Sequence, residues 1–300
     1  MPATDLELVA EGALSPHQEA IAAPGTRRSV GVWLATAWLV VLFTALIATP
    51  WLPIDDPDAP SADLFASPSA EAPFGTDELG RDMFSRVLWG GRVSMSIGIA
   101  SLAFGLLLGG AIGLTAGFFG GNYERFTMAV MDVMLSFPSL ILALALIAAL
   151  SEPGTQQGSF TKLVVVLTIL SVPALARITR ANTLVHSRRE FVTAARSLGA
   201  RNGRILVREI LPNVLPSMLS FAFLALAILV IAEGALAFLG LSVEAPSVTW
   251  GKLIELGRRH LDRAAFLTLI PCAFLFFTLL SLNFIGDRLQ SRFAVREGQV

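Results

Sequence analysis

Few residues of this 300-residue chain have both the type and the setting to do chemistry. Two acids, Asp132 and Glu233, and one amide, Asn283, lie inside otherwise apolar runs. A charge in hydrocarbon costs roughly 3 kcal/mol or more on insertion scales, so each acid must face protein or water. Such groups either relay protons along a pathway or serve as structural polar partners. Asp132, about two turns from the end of its run, fits a structural pair or helix-end bond, whereas for Glu233 both readings stand. No cation at a comparable depth stands out as a partner for either. The other chemistries have weaker claims. Cys272 is single, His17 lies in a polar tail, and His186 and His260 sit close to arginines, so no metal-ligand set is expected. The stretch from Gly75 to Arg92 lacks the Gly-Lys-Ser/Thr ending of a phosphate loop, and no nucleophile has a base at helical spacing. The chain is not expected to be an enzyme.

What must position these residues is a set of membrane helices. Hydrophobic residues make up 54% of the chain and charged residues 15%, with a mean hydropathy of +0.68. A bilayer is the expected solvent. Net charge is -1, which gives no field that would attract nucleic acid. About 20 apolar residues cross a hydrocarbon core. Val30 to Ala48, Val93 to Phe118, Phe126 to Leu150, Val214 to Leu241 and Phe266 to Ile285 meet that length, while Leu163 to Ala176 is shorter, at about 14 residues. Charge distribution argues that this short segment also spans. With it, the arginines from Arg177 to Arg208 share one side with Arg27, Arg28, Arg288, Arg292 and Arg296, and that side is the cytoplasm by the positive-inside rule. The expected fold is therefore an all-α membrane protein of six transmembrane helices with both termini inside.

The expected organisation is a cytoplasmic tail over 1–28, a first span over 29–50, and an external loop with an interfacial helix over 51–92. A five-helix core over 93–287 includes a cytoplasmic loop at 183–213, and a cytoplasmic tail over 288–300 follows. The tail up to Thr26 is acidic and lacks the basic start of a signal peptide. Pro50 to Pro73 is rich in Pro, Asp and Ser and has no helical period, which reads as a loop. Gly80 before Arg81-Asp82 reads as a turn into an amphipathic helix with Phe84, Val87 and Leu88 on one side.

Two patterns stand out. Gly105, Gly109, Gly113 and Gly117 lie along one face of the second span and let another backbone approach closely, within the chain or on a partner. The segment Glu190 to Asn213, EFVTAARSLGARNGRILVREILPN, is polar and basic rather than membrane-spanning. Phe191, Ala194, Ala195 and Leu198 recur at helical spacing, Gly199 can close the helix in a left-handed conformation, and a second turn with Ile205 and Leu206 precedes Pro212. The bland alternative is an interfacial helix pair held on anionic lipid.

This segment resembles the EAA loop of type I ABC importer permeases, with Ala194, Ala195, Gly199, Ile210, Leu211 and Pro212 at matching spacing. Thr193 stands where that pattern usually has its first Glu, with Glu190 three residues earlier. The wider chain resembles the dipeptide, oligopeptide and nickel permeases of the second-permease type. Phe74 to Asp82 with Ser85 and Arg86, Gly117 to Gly121, Asp132 with Phe137-Pro138, Glu233 with Phe238 to Leu241, Trp250-Gly251, and Asn283 with Gly286-Asp287 carry that likeness. The tail departs from it at Arg292-Phe-Ala.

The resemblance implies the type I importer permease fold. It also implies a second permease subunit, two ATPase subunits that use ATP and Mg, and an external solute-binding protein, in a prokaryotic inner membrane. The chain itself would bind no cofactor. The docking loop would comprise Glu190, Thr193, Ala194, Ala195, Leu198, Gly199, Ala200, Ile210, Leu211 and Pro212. The rival classes are an ion-coupled secondary transporter using Asp132 and Glu233, for which no internal repeat is evident, and a non-conducting membrane anchor resting on the glycine stripe.

Overall fold

The computed structural model describes residues 30–151 and 159–297 of the chain, and in these the regular structure is helical. The expected N-terminal tail lies outside the described residues. In chain order the helices are α1 (Val30–Ala48), α2 (Met83–Phe119), α3 (Gly121–Ser136), α4 (Ser139–Leu150) and α5 (Phe160–Ser187). They continue with α6 (Glu190–Ser197), α7 (Asn202–Arg204), α8 (Leu211–Phe238), α9 (Trp250–Gly257) and α10 (Phe266–Glu297). Among the described residues five spans are long and apolar enough to cross a membrane, and the bent pair α3–α4 makes six if counted as one.

Four segments differ from those expected. The short fourth segment extends into the 28-residue α5, with Pro173 accommodated inside it. The second span begins ten residues early, because Asp82 caps α2 by accepting from the Ser85 N–H at 2.7 Å and the helix then runs unbroken to Phe119. The expected interfacial helix is thus the outer end of α2, with Met83, Ser85, Arg86, Val87 and Leu88 all buried. The third span is two helices at 95°. Phe137 precedes Pro138, and the proline ring excludes the helical conformation there, leaving Phe137 extended at φ -81°, ψ 135°. At the other end of the chain, α10 carries helix through the expected tail as far as Glu297.

The loop between α1 and α2, expected to be external, is fastened to α2 by polar side chains. Asp77 accepts from the N–H groups of Leu79 (2.8 Å) and Arg81 (3.0 Å) and from Arg81 Nε (2.8 Å). Arg86, only 3% exposed, donates to the Pro57 carbonyl at 3.2 Å and lies 3.5 Å from Asp58, while Ser85 donates to the Asp55 carbonyl at 2.6 Å. Gly80 has φ +74° and sits against the Ser61 backbone, as its reading as a turn anticipated.

The glycine stripe packs within the chain, against α5. Gly105 faces Ser171 and Leu175, Gly109 faces Val172 and Ala176, Gly113 faces Thr179 and Arg180, and Gly117 faces Thr183. Ser101 Oγ to the Val164 carbonyl (3.3 Å) and Thr168 Oγ1 to the Ser101 carbonyl (3.4 Å) extend the seam outward. Small residues of this kind let dispersion contacts between backbones replace the hydrophobic drive that lipid removes. A methyl group at Gly109 would lie 2.7 Å from the Val172 carbonyl oxygen, whereas one at Gly203 would meet nothing within 4 Å. Gly109→Ala is therefore expected to cost about 1–3 kcal/mol by overpacking, and Gly203→Ala much less. Thermal unfolding of the purified chain in detergent checks the difference, and equal losses would contradict the seam.

Candidate functional site

Between α5 and α8 the chain leaves the apolar bundle for the loop of α6 and α7. α6 ends in a Schellman arrangement: Gly199, at φ +76°, donates to the Arg196 carbonyl at 2.9 Å, and Ala200 donates to the Ala195 carbonyl at 3.0 Å. After α7 the chain makes a π turn over Ile205–Ile210 that runs directly into α8. Pro212 follows that turn. Its ring removes one N–H and crowds the carbonyl four residues back, which a widened turn accommodates.

The loop has two apolar stripes. Val192, Ile205 and Ile210 are buried with Leu114, Val214 and Met218, and Ala195, Ala200, Leu206, Leu211 and Phe118 pack around them. Arg196 lies over the Phe118 ring at 5.6 Å. This inner stripe fixes the loop to the ends of α2 and α8. The other stripe points away. Phe191, Thr193, Ala194, Leu198 and Gly199 are exposed, Leu198 at 88%, as are Glu190 and Pro212.

The helical face expected from Phe191, Ala194, Ala195 and Leu198 thus divides. Ala195 turns inward beside Val192, and the other three turn outward. The sequence reading missed Val192 because α6 carries apolar residues on both phases, and the 3.6-residue period alone does not choose between them.

The intramembrane polar residues fall in three separate places. Asp132 does have a cationic partner, which corrects the expectation: Arg177 Nη2 on α5 donates to its Oδ1. The signal was depth. Asp132 lies about 11 residues into α3 and Arg177 about 10 before the end of α5, or roughly 16 and 15 Å from the same side at 1.5 Å per residue. One turn nearer the loop, Arg180 Nε donates to Glu124 Oε1 at 2.6 Å, so two ion pairs tie α3 to α5. With Arg125 and Met128 they line an open groove of about 540 Å³.

Glu233 is buried in α8 and also finds a partner, a hydroxyl rather than a cation. Ser94 Oγ donates to its Oε2 at 3.1 Å and accepts from the Trp250 backbone N–H at 3.1 Å, while its Oε1 has no hydrogen bond among the described residues. Trp250 Nε1 in turn donates to the Val87 carbonyl at 2.9 Å, and the indole fills the space that Gly91 leaves. Motifs far apart in the sequence therefore meet in one lock of α2, α8 and α9. Near its edge, burial works to raise the Glu255 carboxyl, and hydrogen bonds from Lys252 and Arg259 outweigh it and hold the group below its ordinary value. Asn283 joins neither group: its side chain donates to the Leu279 carbonyl of its own helix at 2.8 Å.

The family described as binding-protein-dependent transport system inner membrane component matches residues 109–297. The chain belongs to that family. Among its relatives, the glutathione transport system permease protein GsiD of Pectobacterium atrosepticum is 36% identical over 74% of this chain and 72% of its own. The dipeptide transport system permease protein DppC of Alkalihalophilus pseudofirmus is 33% identical over 87% and 83%, and the di/tripeptide permease DppC of Pseudomonas aeruginosa 36% over 84% and 83%. The fold is that of the inward-facing MetNI methionine ABC transporter, with a TM-score of 0.58 and 21% identity over 70% of this chain and 97% of that one. A crystal structure of an amino acid ABC transporter with histidines gives 0.54 and 18%, over 70% and 94%.

The permease is thus a multi-pass membrane subunit of an ABC importer and not a catalytic enzyme. In this permease Ser94→Ala would strip the buried Glu233 of its hydroxyl donor, at an expected loss of about 1–3 kcal/mol. Thermal unfolding in detergent measures it, and an unchanged midpoint would show that the lock contributes nothing.

Proposed function

We propose that this chain forms, with a second permease subunit, the pathway for peptides or another small solute handed over by an external binding protein. Of two ATPase subunits in the assembly, one would dock on its loop and the other on the second permease, using ATP and Mg that this chain does not itself bind. The observation that carries this reading is the outward stripe of Phe191, Ala194 and Leu198, an apolar ridge on a capped helix that the described residues leave exposed. The positive-inside pattern supports a cytoplasmic position for that ridge and for both termini, in a prokaryotic inner membrane. The names of the relatives support peptides as cargo.

In this scheme the permease performs no bond chemistry. It has inward- and outward-facing arrangements, and a motor that binds them differently shifts their equilibrium. Transmission needs a stiff element, and α6 is fixed on its inner side by Val192 and at its end by Gly199. With no carboxylate at Thr193, the contact rests on Ala194, Leu198 and Gly199.

Leu198→Asp should abolish ATPase co-purification and ATP-driven uptake while leaving insertion and thermal stability unchanged, since the side chain touches almost nothing in the fold. Val192→Asp should lower stability as well, because it buries a charge. Uptake and co-purification retained in Leu198→Asp would overturn the docking surface.

A further inference from the structure

At the end of the bundle where α1 begins, a groove lies between α1 and α10. Higher up they are pinned together. Trp38 Nε1 donates to Thr278 Oγ1 at 3.2 Å, and its ring packs on Phe274 and Phe277. Below that contact the groove encloses about 400 Å³ between Val32, Trp33 and Thr36 of α1 and Ile285, Arg288, Leu289 and Arg292 of α10. One wall is apolar, and the rim carries two guanidiniums. Neither arginine has an ion pair or side-chain hydrogen bond among the described residues, and no acid lines the groove.

The level of the groove follows from two tryptophans. Trp33, near the start of α1, and Trp51, at the end of the 3-10 turn Thr49–Trp51 that follows it, are 64% and 78% exposed. Their separation is roughly 28 Å, at about 1.5 Å per residue along α1 and about 2.0 Å along the turn, close to the thickness of the hydrocarbon core. Exposed tryptophans at that spacing mark the two interfaces, where the amphipathic indole is favoured. Trp33 lies in the groove itself, so Arg288 and Arg292 stand at headgroup depth beside an apolar wall that continues toward the bilayer centre.

We infer that this groove is a binding site for an anionic phospholipid of the leaflet at that end of the bundle. The two arginines take the phosphate, and Val32, Trp33, Ile285 and Leu289 take the upper acyl chain. Guanidinium suits a phosphate through its fork of donors, and an anionic headgroup supplies a countercharge that the described residues lining the groove do not. The inference rests on the membrane-spanning reading alone, so its failure would leave the docking loop untouched.

The test uses the full chain in detergent, titrated with phosphatidylglycerol or phosphatidylcholine of the same acyl chains and followed by native mass spectrometry and thermal shift. Wild type should retain phosphatidylglycerol and be stabilised by it, and should not retain phosphatidylcholine. Arg288→Gln/Arg292→Gln should bind it about fivefold more weakly for each guanidinium removed, and Arg288→Lys/Arg292→Lys should keep most of the binding. Inorganic phosphate at the same concentration should neither stabilise the chain nor compete. Equal retention of both lipids, unchanged binding in the glutamine variant, or full competition by free phosphate would each overturn the site. If the glutamine variant fails to fold, the comparison of the two lipids on wild type still decides.

Discussion

The contact on which the rest of the permease depends is the close approach of α2 and α5 along Gly105, Gly109, Gly113 and Gly117. In lipid, helices gain nothing by hiding apolar side chains from one another, so their association rests on contact and on polar bonds. The glycines bring backbone atoms into the contact, with Ser101 and Thr168 supplying polar bonds at the outer end. α2 is thereby held as a rod roughly 55 Å long at 1.5 Å per residue. Its outer end carries the Arg86 fastening and the Trp250 lock, and its inner end supplies Leu114 and Phe118 as the floor of the loop.

Against that rod the other elements are more lightly tied. α3 is joined to α5 by the Arg177–Asp132 and Arg180–Glu124 pairs, and the break at Pro138 separates α3 from α4. Polar pairs with one open side can slide or exchange partners at smaller cost than interlocked backbones. The molecule therefore combines a stiff spine with a face that can be rearranged, which is what a two-state conduit requires.

Much of this was legible in the sequence, for reasons that differ by residue. The spans are fixed by the length of apolar runs, and the left-handed turn at Gly199 by the special freedom of glycine after a helix. The glycine stripe was visible as a face, but its partner was not, because spacing within one helix says nothing of which helix lies opposite. Asp132 and Arg177 could have been paired by counting residues from the two helix ends. The lock of Ser94, Glu233 and Trp250 could not, since Ser94 is an unremarked serine until the fold brings three distant segments together. The break after Phe137 was written in the following proline, yet the unbroken hydropathy of the run concealed it.

The two stripes of α6 have a consequence for adaptation. Val192 and Ala195 answer to the fold, while Phe191, Ala194 and Leu198 do not touch its core. A helix of two turns thus separates residues that keep the permease folded from residues free to vary. Under the docking role proposed for the outer stripe, sequence drift there would change which chain is recognised without loosening the bundle.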